Sequence, residues 1–263
     1  MKIYNDYFKV GKNKIAVQFI TQPKYLRQSN TIVLLHEGLG CIEMWKDWPK
    51  KLADRVKLNV VIYSRLGMGQ SSKEKNKKNT NFMNKEALYY LPKIINNYCK
   101  DEPLLLGHSD GASISIIYAG NKLRCKGIIL EAPHVMVEKI TIKEIESIKK
   151  NWKNNILNNK LKKYHKFPSD VFFSWCNVWL SKEFVDWNIT SLVKNISCPI
   201  LLIQGREDQY GTLKHLDLIK KNCLNQVEKL IIDDCKHSPH LEHPKEVIDK
   251  IEKFIKNILI KND

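Results

Sequence analysis

Short, nearly unbroken apolar runs recur along this chain and constrain its fold more than any other feature: Thr31 to Leu35, Val60 to Tyr63, Pro103 to Leu106, Gly127 to Leu130, Pro199 to Ile203 and Leu230 to Ile232. A strand covered on both faces carries apolar side chains at successive positions, whereas a strand with one wet face alternates. Segments of helical spacing separate the runs, so the pattern predicts an α/β class protein, a mostly parallel central sheet flanked by helices. Lys14 to Ile20 alternates instead and is expected to form an antiparallel edge strand. Pro244 suits the first turn of a closing helix whose Val247, Ile248, Ile251, Phe254, Ile255 and Ile258 share one face against the sheet.

One domain plus an insertion is expected, since 263 residues suffice for one substantial core and 43% hydrophobic content excludes a disordered chain. A formal charge of +16 raises nucleic acid or a membrane surface as partners. Against this, the lysines are spread along the chain, often beside asparagines as in Lys73 to Asn79, and no stripe interleaves them with stacking aromatics. The charge is read as solvated surface, with no nucleic-acid and no membrane partner. Seven cysteines form no CxxC pair, unlike a zinc site or a disulfide framework, and point to reduced thiols and no metal. Met1 to Asp6 lacks the apolar core of a signal peptide, and no later run is as long as a membrane span, so the expected location is cytoplasmic.

Residues 134–187 break the rhythm. A charged helical pattern, Ile142 to Lys150, gives way to Trp152, Phe167, Phe172, Trp175, Trp179 and Trp187. This stretch is expected to be a helical cap insertion between the two parts of the core, 1–133 and 188–263. It would cover the sheet end at which open α/β sheets bind ligands. The competing reading gives these aromatics only a second small core.

The chemistry centres on Gly107-His108-Ser109-Asp110-Gly111, between a buried-strand run and the apolar segment Ala112 to Ala119. A sharp strand-to-helix turn lifts a serine hydroxyl out of the sheet, and side chains at the two glycine positions would collide there. A serine hydroxyl also needs a base, itself oriented by a buried carboxylate. Late in the chain stand Gly205-Arg206-Glu207-Asp208, directly after one apolar run, and Lys236-His237-Ser238-Pro239-His240-Leu241-Glu242-His243-Pro244, shortly after the next.

Together these segments resemble the α/β-hydrolase superfamily over nearly the whole chain, in particular its ester-cleaving and carbon-carbon-bond-cleaving members, including biphenyl-hydrolase-like enzymes. The resemblance implies Ser109 as nucleophile. It implies Asp208 as the acid, on a Gly-x-x-Asp pattern at Gly205 and Asp208, and His237 as the base, on a pattern shared by His237, Pro239, Glu242 and Pro244. Glu207 and Asp217 compete for the acid, and His108, His240 and His243 for the base; position after the strands favours Asp208 and His237. Lys236 stands where the family usually has glycine. The implied oxyanion donors are the N–H groups of Asp110 and of Gly38 in His36-Glu37-Gly38-Leu39-Gly40, with Leu39 as the alternative because Glu37 replaces a common glycine. Trp45 is expected to open the next helix. Tyr63 to Ser71 resembles the family's Asp-x-x-Gly-x-Gly-x-Ser loop with Ser64 at the aspartate; Gly67 and Gly69 are read as turn residues, and Ser72 stands where a dinucleotide motif needs its third glycine.

The expected activity is hydrolysis of a small-molecule ester or thioester with a small to medium apolar acyl group, through an acyl-enzyme and without cofactor or metal. Asp110, Glu37, Trp175 and Trp179 are candidate substrate contacts. The resemblance gives Asp110 a role in receiving a substrate α-amino group; an acidic residue at a helix start is the simpler account. The same residues could serve carbon-carbon hydrolysis of a vinylogous diketone, acyl transfer or peracid formation. A ligand-binding protein of the same fold is the non-enzymatic alternative, and a homo-oligomer is left open.

Overall fold

The apolar runs form the centre of an eight-stranded sheet, ordered β1-β2-β4-β3-β5-β6-β7-β8. The structure is a computed structural model that describes residues 1–22, 30–152 and 156–260. Its strands are β1 (Lys2–Val10), β2 (Asn13–Thr21), β3 (Thr31–Leu35), β4 (Asn59–Tyr63), β5 (Leu104–His108), β6 (Gly127–Glu131), β7 (Ile200–Gly205) and β8 (Val227–Ile232). Those from β3 onward pair in parallel, while β1 and β2 add antiparallel to β4. The helices are α1 (Trp48–Val56), α2 (Phe82–Lys85), α3 (Leu91–Tyr98), α4 (Asp110–Gly120), α5 (Lys139–Lys150), α6 (Ile156–Tyr164), α7 (Pro168–Trp179), α8 (Thr190–Val193), α9 (Lys214–Asn222), α10 (Pro239–Glu242) and α11 (Pro244–Ile260).

Successive strand side chains point to opposite faces, and both faces are covered. Val33, Val61, Leu105, Ile128 and Leu202 pack under α3, α4 and α9. Ile32, Ile62, Leu106, Ile129 and Leu201 pack under α1 and α11. The α11 stripe from Val247 to Ile258 is buried as its spacing requires, a contribution on the order of 10 kcal/mol as an upper estimate.

The alternating segment at Lys14 to Ile20 is antiparallel but not at the edge. It lies inside β2, and β1 takes the edge through a tight turn in which Gly11 adopts φ +60°. β1 escapes a periodicity reading because nearly all of its residues are exposed. Trp45 closes a 3-10 turn, Ile42–Trp45, and α1 starts only at Trp48.

Helices α5, α6 and α7 lie between β6 and β7, and the two ends of that stretch are pinned together. Met136 pairs with Asn188, the Val137 N–H donates to the Trp187 carbonyl (3.2 Å), and the Ile189 N–H to that of Val135 (2.8 Å). Residues 153–155 of the expected insertion, and 23–29 and 261–263 of the expected core, lie outside the described residues. Trp152 stacks on Phe172 at 3.9 Å, and Phe184 on Trp187 at 5.1 Å, and rather than forming a second core these aromatics join the buried cluster on the α3, α4 and α9 face of the sheet.

Candidate active site

The chain leaves β3 for β4 on one side and returns to β5 on the other, so the ends of β3 and β5 form a topological switch point, the usual ligand crevice of such sheets. Ser109 sits there, between β5 and α4, with φ 54° and ψ −116°. Crowding explains the flanking glycines. A Cβ on Gly107 would stand 2.2 Å from the Gly111 carbonyl oxygen, and one on Gly111 would stand 2.1 Å from that of Leu35. The Ser109 N–H donates to the Glu131 carbonyl at 2.9 Å, which fixes the strained residue to β6.

His237 and Asp208 are brought together. The His237 Nδ1–H faces both Asp208 oxygens, at 2.9 Å to Oδ1 and 2.8 Å to Oδ2. Oδ1 also accepts the Tyr210 N–H (2.8 Å) and Oδ2 the Gln204 amide (2.7 Å). Burial pushes the Asp208 carboxyl up, but the charge and hydrogen bond of His237 with the Tyr210 N–H outweigh it and hold the group below its ordinary value. Burial lowers His237, while the Asp208 charge and hydrogen bond, with Glu37 and Glu131, carry it above the ordinary histidine value. The Ser109 hydroxyl makes no hydrogen bond among the described residues, and such contacts commonly tighten only around a substrate.

The rivals stand elsewhere. Glu207 is exposed, and Asp217 on α9 accepts from Lys229 at 2.6 Å. His108 is buried with its pKa lowered to about 3, and its neutral Nε2–H donates to the His237 carbonyl at 2.7 Å. His240 is held by Glu131 through both Nδ1 and its backbone N–H, each at 2.7 Å, and His243 reaches only the Asp234 carbonyl. Lys236 needs no glycine backbone, because the positive φ of this loop falls on Asp234. Glu242 accepts the N–H groups of Lys236 (2.9 Å) and Ser238 (3.0 Å), bracketing His237.

Opposite Ser109, the Glu37 carbonyl accepts from the Gly40 N–H (3.0 Å), His36 Nδ1 (2.8 Å) and Arg65 Nη2 (2.6 Å). His36 Nε2 in turn accepts the Arg65 N–H at 3.1 Å. Burial first, then Arg65, drives the His36 pKa well below the ordinary value, so the ring is neutral and carries its proton on Nδ1. A trans peptide sends its C=O and N–H in opposite directions, and no cis bond occurs among the described residues. Clamping the Glu37 carbonyl therefore aims the Gly38 N–H away from Arg65. The Asp110 N–H, first in α4, is one of the donors a helix leaves unused. The Glu37 side chain folds over Gly40, where a Cβ would stand 1.7 Å from its Oε2, and burial raises its carboxyl against the pull of Arg65. Leu39 is tied instead by its carbonyl, which accepts His165 Nε2–H at 2.9 Å.

Trp175 and Trp179 descend from α7 onto this loop. A Cβ on Gly38 would lie 2.2 Å from Trp175 Nε1 and 3.0 Å from Asp110 Oδ2. Those two atoms and Trp179 Nε1 are buried and have no hydrogen-bond partner among the described residues. Burial raises the Asp110 carboxyl, opposed by Arg65 and Lys78. Gly67 and Gly69 adopt φ +82° and +52°, as turn residues do, and Ser64 Oγ accepts the Ile42 N–H at 3.1 Å. Sequence reasoning missed Glu131, Arg65, Gln204 and Tyr210; only the Arg65 position, inside a family landmark, offered a signal. Among the described residues no cluster of His, Cys, Asp and Glu is suited to hold a metal, and no helix is long and apolar enough to cross a membrane.

No curated protein matches this sequence. Among solved structures, a putative lipase from Acinetobacter baumannii AYE is 20% identical and superposes with a TM-score of 0.75, covering 98% of this chain and 93% of that one. Proline iminopeptidase from Mycobacterium smegmatis gives 15% identity and a TM-score of 0.75 over 99% and 100% of the two chains. A thermophilic esterase from Thermogutta terrifontis gives 17% and 0.68 over 98% and 99%. At these identities the likeness is one of fold. The family model described as alpha/beta hydrolase fold matches residues 30–164, which run from β3 through the Ser109 elbow to the end of α6, and the chain belongs to that family.

Proposed function

We propose that this protein is a serine hydrolase that cleaves a small to medium ester or thioester through an acyl-enzyme on Ser109. The observation that carries the reading is the His237–Asp208 pair, whose loop His108 anchors directly beside the strained serine. His237 would take the Ser109 proton as the hydroxyl attacks a carbonyl and return it to the leaving group. The developing oxyanion would be received by the N–H groups of Gly38 and Asp110. Water, activated at His237, would then release the acyl group. Residues 134–187 would serve as the cap over the pocket, with Trp175, Trp179, Asp110 and Glu37 as substrate contacts and a small molecule rather than nucleic acid as partner. Seven free cysteines agree with a reducing, cytoplasmic setting.

A panel of simple esters, amino-acyl esters, thioesters and a vinylogous diketone tests this reading. Ester or thioester turnover above that of the diketone is expected, and preferential diketone cleavage contradicts it. Should Asp110→Asn leave the ratio of amino-acyl to simple ester turnover unchanged, Asp110 does not read an amine.

The reacting histidine must be unprotonated, and its pKa is raised. Activity is therefore expected to fall as pH drops through a midpoint above the ordinary ~6.5 of histidine. A kcat/KM profile whose acid limb lies below that value argues against His237 as the base.

Arg65 acts through the loop rather than on the substrate. Arg65→Gln is expected to lower kcat about 10–100-fold per folded molecule, with KM within about twofold, since it loosens one oxyanion donor. Steady-state kinetics that show an equal change in KM would assign Arg65 to substrate binding instead.

A further inference from the structure

At the opposite end of the sheet a cavity of about 980 Å³ opens beneath the starts of β5, β6 and β7, lined among others by Pro103, Cys125, Lys126, Cys198 and Pro199. Cys125 precedes β6 and Cys198 precedes β7, and these strands are neighbours paired at Ile128 and Ile200. The Ile128 N–H donates to the Pro199 carbonyl at 3.1 Å, so the two approaching segments already run side by side. Adjacent strands lie about 4.8 Å apart, within the Cα separations that a disulfide spans. The two sulfurs stand 3.6 Å apart, and both residues are otherwise enclosed.

We propose that Cys125 and Cys198 form a reversible disulfide when the protein meets hydrogen peroxide, a modification site separate from the Ser109 chemistry. One of the two thiols gives up its proton and attacks the peroxide; the O–O bond breaks, the leaving hydroxide takes up that proton as water, and the attacking sulfur becomes a sulfenic acid. The second sulfur then attacks the first, the S–S bond forms, the S–O bond breaks, and the departing hydroxide takes the second thiol's proton as water. Two thiols are oxidised and one peroxide is reduced to two waters. Either sulfur can donate across the 3.6 Å contact, so either thiol can be the first to attack. The bond would join residues 73 positions apart and close a loop that contains β6 and α5 to α8, tying the start of β6 to the start of β7.

The full chain is exposed to hydrogen peroxide, quenched with iodoacetamide and mapped without reduction. A peptide joining Cys125 to Cys198 is expected, with an intact mass lower by two hydrogens and a melting temperature higher by roughly 5–10 °C. Dithiothreitol should reverse all three. Alkylation of both residues after exposure, linkage to Cys99 or Cys223 instead, a sulfinic acid at either position, or a lowered melting temperature overturns the proposal. Cys125→Ser and Cys198→Ser each remove one partner, and dimedone should trap a sulfenic acid at the remaining cysteine of at least one variant during peroxide treatment; absence of an adduct in both overturns the proposal.

Discussion

Ser109→Ala is expected to lower kcat/KM on the best ester of the panel by about 10⁴-fold or more while leaving the fold intact. The loss is large because His237 and the loop donors have no covalent partner to act on once the hydroxyl is gone. The fold should survive because the Ser109 side chain makes no hydrogen bond among the described residues, so no buried group is orphaned. What holds the elbow is its backbone, through the Ser109 N–H to Glu131, and the close approach of Gly107 to Gly111. Circular dichroism and a melting temperature within a few degrees of wild type check the second half. Residual turnover above about 1% in a folded variant would place the nucleophile elsewhere.

Asp208→Asn is expected to cost about 10⁴-fold in kcat, comparable to what an amide at the acid position costs Ser-His-Asp triads. The neighbours show why the substitution is not isosteric in function. Asp208 receives donors from three directions: His237 Nδ1–H, the Tyr210 N–H and the Gln204 amide. A carboxylate accepts them all, whereas an asparagine has one oxygen and must turn its NH₂ group against at least one donor. One relief is the other His237 tautomer, which puts the proton on Nε2 and removes the base from the serine. A kcat measured from neutral to alkaline pH separates this from a simple shift in titration. A depressed kcat across the whole range supports the tautomer account, and recovery at high pH contradicts it.

How much was legible in the sequence follows from how local each signal is. β3 to β7 announce themselves because strands buried on both faces are apolar at consecutive positions. β8 begins three residues before its apolar run at Val227, since only its last residue is fully buried and Glu228 and Lys229 disguise the start. β1, exposed along most of its length, carries no core pattern at all. Ser109, Asp208 and His237 could be named as candidates from turn chemistry, chain order and family resemblance. Glu131, Arg65 and Gln204 were not, because a buried polar residue takes its meaning from partners that only the fold supplies: Glu131 meets His240 across 109 positions, and Arg65 meets the Glu37 carbonyl across 28.

The central claim is that Ser109 is an activated nucleophile. Incubation of the folded protein with a fluorophosphonate, followed by peptide mass spectrometry, tests it most directly. The account predicts one adduct, on Ser109, lost in Ser109→Ala and strongly slowed in Asp208→Asn. A folded protein that takes no label, or takes it at another residue, would contradict it.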